Sequence, residues 1–101
     1  MKDKSSFEAI KEFMEKNKGL LRKKYGVKIT GVFGSIVRGE EKKSSDIDIL
    51  VEFEEGKETF KNYMGLKFFL EDSLGRKVDL VIIETLKPMI KEDILKEAVY
   101  V

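Results

Sequence analysis

Cysteine and histidine are both absent from the chain. Without cysteine there is no disulfide framework, no thiolate zinc site and no thiol nucleophile; without histidine there is no imidazole base and no His-ligated metal. Any chemistry falls to Asp, Glu, Ser, Lys and Tyr. Long apolar runs are also missing. None approaches the roughly 20 residues that cross a bilayer, and the N-terminal MKDKSSFEAI lacks the apolar core of a signal peptide. The expectation is a cytoplasmic protein with no membrane partner. Excess charge of one sign is lacking too, since 20 Lys and Arg stand against 19 Asp and Glu for a net +1. No global field then draws nucleic acid, and no direct nucleic-acid contact is expected. The 101 residues suit one domain spanning 1–101 and leave no room for a second, substrate-binding one.

What is present is apolar periodicity and charge. Hydrophobic residues make up 42% of the chain, enough for one core, and charged residues 39%, well above the roughly 25% of ordinary globular chains. Ser5 and Glu8 have capping-box spacing, and Phe7, Ile10, Met14 and Leu21 recur at helical intervals, predicting one amphipathic helix to about Gly26. Val27 to Phe33 reads as a strand, Ser35 to Glu41 as a helical turn, and Asp46 to Phe53 as an alternating strand. Phe60 to Leu74 reads as a core-facing helix stopped by Gly75. "VDLVII", from Val78, reads as a central strand buried on both faces, and Pro88 opens a last helix with Ile90, Ile94 and Leu95 inward. The fold class is α/β (α+β), in the order α-β-α-β-α-β-α, with three strands or slightly more flanked by helices.

Side chains two apart on a strand share a face, so Asp46 and Asp48 set two carboxylates side by side. Uncompensated, they repel. A hard divalent cation such as Mg²⁺ removes the difficulty, because it prefers oxygen ligands and binds through a few carboxylates plus substrate phosphates. Asp79, a lone carboxylate in an otherwise apolar strand, is costly to bury and supplies a third ligand if its strand lies beside the first. Three carboxylates can hold two metal ions. Gly34 and Ser35 follow a strand and open a helical turn, a layout in which backbone N–H groups and a hydroxyl face a phosphate, with Arg38 one turn on as a cation. Together these describe a nucleoside triphosphate handled through Mg²⁺, or Mn²⁺ in its place.

Taken singly, each feature has a plain structural reading. Ser35 would be an N-cap, the D-x-D pair solvated carboxylates, Asp79 a partner of Arg76 or Lys77, and Arg38 a partner of Glu40 or Glu41. One mechanism asks for all of them at these places. Tyr25, Tyr63 and Tyr100 read as packing residues.

Gly34-Ser35, ten residues, then Asp46-Ile47-Asp48 resembles the GSx10DxD signature of the polymerase β-type nucleotidyltransferases. "GVFGSIVRGE", "SDIDILVEF", "LGRKVDLV" and "LKEAVYV" are together similar to the minimal nucleotidyltransferases, the MNT or MntA antitoxins, across Val27 to Val101. Ile36 and Val37 depart from the family, which often has a polar or aromatic residue and then Ala. The resemblance implies that Gly34 and Ser35 hold the triphosphate, that Asp46 and Asp48 bind both metals, and that Asp79 helps activate the acceptor hydroxyl. It also implies ATP as donor and a HEPN-type ribonuclease toxin as partner. The chain would neutralise this toxin by moving AMP onto one of its tyrosines, as the antitoxin of a type VII pair. A non-catalytic antitoxin acting by contact and a small-molecule transferase of the aminoglycoside kind are the other readings. A kinase is disfavoured because no P-loop ending in Lys-Ser or Lys-Thr occurs. Homo- or hetero-oligomerisation is left open.

Overall fold

A computed structural model describes residues 6–39 and 46–101. Its element order is α1 (Ser6–Lys16), α2 (Lys18–Tyr25), β1 (Val27–Phe33), α3 (Ser35–Arg38), β2 (Ile47–Phe53), α4 (Phe60–Leu74), β3 (Val78–Ile82), a 3₁₀ turn (Ile83–Thr85), α5 (Pro88–Glu97) and β4 (Val99–Tyr100). The strands form one mixed sheet in the order β3-β2-β1-β4. β2 runs antiparallel to β1 and parallel to β3, and β4 is antiparallel to β1.

The alternation of β2 divides the sheet into two faces. Ile47, Ile49, Val51 and Phe53 point one way and are almost fully buried, alongside Val32, Val78 and Leu80. α1, α2 and α4 close this face with Ile10, Met14, Leu21, Leu66 and Leu70. Gly65, inside α4, admits the Tyr25 ring, because a Cβ there would come within 2.9 Å of the Tyr25 Cε1. The opposite face carries Phe33, Asp48, Leu50, Glu52 and Asp79.

Several expectations need correction. The first helix is two, broken at Asn17, whose side-chain Nδ2 donates to the Phe13 carbonyl at 2.8 Å. Short amides that bond nearby backbone in this way compete with helix propagation. β3 is an edge strand rather than a central one. Two of its outward backbone groups are bonded by α4, with the Tyr63 hydroxyl donating to the Leu80 carbonyl at 2.7 Å and the Val78 N–H donating to Glu71 Oε2 at 2.9 Å. That second bond, followed by Lys67, holds the Glu71 carboxyl below its ordinary range. α5 has no fully buried residue, and Ile90 is exposed rather than inward.

β4 is an addition to the expected strands. The Val101 N–H donates to the Thr30 carbonyl at 3.0 Å, and the buried Thr30 hydroxyl donates to the Val101 carbonyl at 2.9 Å. No helix among the described residues is long and apolar enough to cross a membrane.

Candidate active site

β1 ends at Phe33, which pairs with Asp48, and Asp48 pairs in turn with Asp79. One row across the sheet therefore brings the second aspartate of the D-x-D pair beside the distant third. Next to that row the chain turns through Gly34 at φ 83 and ψ −156, a region that essentially only glycine occupies. A Cβ on Gly34 would lie 2.0 Å from Asp48 Oδ2. The missing side chain is thus the space in which the carboxylate sits.

Gly34, not Ser35, occupies the N-cap position of α3; its carbonyl accepts from the Val37 and Arg38 N–H groups at 3.1 and 3.2 Å. Ser35 is then the first helical residue and half-buried. It is therefore not the N-cap that a plain structural reading assigns it.

Asp48 is only partly exposed, and its carboxyl pKa is raised above the ordinary aspartate value. Burial is the largest cause, followed by the negative charges of Asp79 and Asp46; Arg38 acts in the opposite sense, and Glu97 adds a further small rise. Asp46 precedes the first residue of β2 and is exposed. Asp79 is exposed as well, so the argument from its burial fails: its side chain is on the sheet face opposite the one that α1, α2 and α4 close. Among the described residues no three carboxylates are drawn into a ready-made cation cluster. Asp46 lies beyond the paired ladder.

Arg38 does extend to the site, but its Nη1 is ion-paired with Glu97 Oε1 of α5. Glu40 and Glu41, its expected partners, lie outside the described residues. Glu97 is the site-facing residue that sequence reasoning missed. It stands 59 positions from Arg38, and nothing in the Lys/Glu-rich segment around it marks it out. At the other end of the same sheet face is a cavity of about 660 Å³ lined by Ile29, Glu52, Ile83, Leu95 and Tyr100 among others. The aspartates do not line it, and their row opens on the surface.

Hard oxygen donors in a row, a glycine that lets a carboxylate press against a turn, and a cation across from them form a set suited to a divalent ion and a phosphate chain. Residues 10–101 match the nucleotidyltransferase domain family, and the chain belongs to that family. Within it, the chain is 46% identical over 96 residues to the protein adenylyltransferase MntA of Thermococcus cleftensis, covering 95% of this chain and 96% of the relative. A solved chain described as a minimal nucleotidyltransferase shares the structure at a TM-score of 0.74 and 37% identity, over 89% of this chain and 93% of that one. The fold also recurs, at 19% identity and a TM-score of 0.61 over 88% of this chain and 69% of that one, in a complex of a tri-AMPylated Shewanella oneidensis HEPN toxin with an MNT antitoxin. The chain is a nucleotidyltransferase.

Proposed function

We propose that the chain, acting in the cytoplasm as one minimal nucleotidyltransferase domain over 1–101, transfers AMP from ATP to a tyrosine hydroxyl of a HEPN-type ribonuclease toxin and so serves as its antitoxin. The observation that carries this reading is the row in which Asp48 faces Asp79 beneath Gly34. The 46% identity to a protein adenylyltransferase supports the reaction, and the AMPylated HEPN toxin of the distant complex supports the partner.

Asp46, Asp48 and Asp79 would hold Mg²⁺. They fit such an ion because all are oxygen donors and because Asp48 is held partly protonation-prone by charges that a cation would neutralise. When bound, the metal supplies charge neutralisation on the triphosphate and on the departing pyrophosphate. Gly34 and Ser35 seat the triphosphate and Arg38 adds a positive charge, which requires it to leave or share Glu97. The tyrosine oxygen attacks the α-phosphorus. A new O–P bond forms, the bond from that phosphorus to the bridging oxygen breaks, pyrophosphate leaves, and the phenol proton passes to Asp79. The open position of the row suits an acceptor delivered on another protein.

The test is label transfer from ATP marked at either the α- or the γ-phosphate, with Mg²⁺ and the protein encoded beside this chain as acceptor. Label from the α-position alone, lost in Asp48→Asn, is the expected result. No transfer from either position, with toxin binding and inhibition retained, would replace this reading with inhibition by contact.

A further inference from the structure

Asp79 lies on an edge strand, and edge strands hold their position less firmly than central ones. The N–H and C=O of one strand residue face the same edge, and successive residues face opposite edges. Those of Val78 and Leu80, on either side of Asp79, turn away from β2. α4 bonds one group of each: the Val78 N–H donates to Glu71 Oε2 at 2.9 Å, and the Leu80 carbonyl accepts from the Tyr63 hydroxyl at 2.7 Å. Lys67 Nζ bonds the same Glu71 oxygen at 2.9 Å. Tyr63, Lys67 and Glu71 are spaced by four residues each, so they form one stripe of α4 laid along the outer edge of β3.

We infer that this stripe is a positioning device for the transfer reaction: Tyr63 and Glu71 act through the backbone on either side of Asp79 to hold its carboxylate level with Asp48. The inference rests on the reading given under Proposed function. Neither residue touches substrate. Either could have served the fold by apolar contact, yet each spends a polar group on the single residue that adjoins Asp79 on its side. Outer partners that orient ligands of a metal site commonly cost about 10- to 100-fold in affinity or activity when removed.

The experiment uses the full chain with Tyr63→Phe, Glu71→Ala, Glu71→Gln and Asp79→Asn. Three readouts are taken: label transfer from α-labelled ATP with Mg²⁺, Mn²⁺ binding without nucleotide followed by electron paramagnetic resonance, and thermal melting. Tyr63→Phe keeps the ring, and Glu71→Gln keeps an oxygen to accept from Val78. The expected result is a kcat lowered by about tenfold in Tyr63→Phe and Glu71→Ala, with KM for ATP within about twofold of the parent, and Mn²⁺ affinity lowered by about tenfold. Glu71→Gln should recover most of both losses. Tyr63→Phe and Glu71→Ala variants that match the parent in kcat and Mn²⁺ affinity, beside an inactive Asp79→Asn, would overturn the positioning role alone. Loss of melting temperature with Mn²⁺ affinity unchanged would do the same, because it marks a purely structural role. An Asp79→Asn variant as active as the parent would overturn the reaction reading, and the positioning role with it.

Discussion

β2 has two sides that obey different rules. On one, Ile47, Ile49, Val51 and Phe53 are between 0 and 6% exposed and packed under three helices. On the other, beside the fully buried Leu50, Asp48 sits partly buried among like charges. The same strand thus gains stability from one face and gives some of it up on the other. Under the function proposed above, the repulsion tolerated on the second face is what a cation would relieve.

The sharpest way to test that division is to compare stability costs on the two sides, and the largest is expected on the apolar side. Ile49→Ala empties a fully buried position and should cost about 2–5 kcal/mol, lowering the melting temperature by roughly 10 °C or more. Transfer per folded molecule should stay within about twofold at a temperature where the variant is folded. A selective loss of transfer in the fully folded variant would show that the two faces are not separable.

Gly34→Ala comes next and should damage both properties. The backbone at φ 83 and ψ −156 resists a side chain, at a cost of about 1–3 kcal/mol, and the new methyl would meet Asp48 Oδ2. Urea unfolding should therefore show a loss of that order, and transfer should fall to background. Made in an Asp48→Ala background, the same change should cost less, since the clash is gone while the strain stays. Equal costs in the two backgrounds would mean that Asp48 does not occupy the space left by Gly34.

How far these faces could be read from the sequence depends on the range of the contacts. β1, β2 and α4 were legible because alternation, helical spacing and the stop at Gly75 are local signals. The closeness of Gly34 to Asp48 was legible because a turn and a strand lie close together in the chain. Asp79 could be named but its environment could not: an apolar run does not distinguish a strand buried on two sides from an edge strand bonded along its margin by Tyr63 and Glu71. β4 was hidden because its two residues pair with a strand some 70 positions earlier, as the Thr30 to Val101 separation of 71 shows. Asn17 split the first helix through a side-chain bond that periodicity does not register.

The Arg38 and Glu97 pair offers a smaller test, on the site's own rim. Both side chains are partly solvated, at 50% and 27% exposure, so Glu97→Gln should change stability by no more than about 1 kcal/mol. Its consequence is expected in the kinetics. With the Glu97 charge no longer competing for Arg38, KM for ATP should fall by about two- to fivefold, which is about the binding worth of a solvent-exposed charge contact. A rise in KM would instead mean that Glu97 holds Arg38 in its working position.

Asp48→Asn should give the smallest change in stability, with a sign opposite to the others. The folded chain raises the Asp48 pKa, by burial first and then by Asp79 and Asp46. Its protonated form is therefore favoured by folding, and the stabilisation present below the unfolded value of 3.8 is lost as pH rises through the folded value. Asparagine does not titrate, so without metal the variant should gain on the parent from about pH 4 toward neutrality. Urea midpoints in chelator at the two ends of that range measure this. The parent-to-variant difference removes the carboxylates common to both. At neutral pH the inactive variant should be the more stable protein, and added Mg²⁺ should close the gap by stabilising the parent more. A gap of the opposite sign, or one that ignores both pH and Mg²⁺, would show that Asp48 bears no unrelieved charge. The division between a stabilising and a strained face of β2 would then fail.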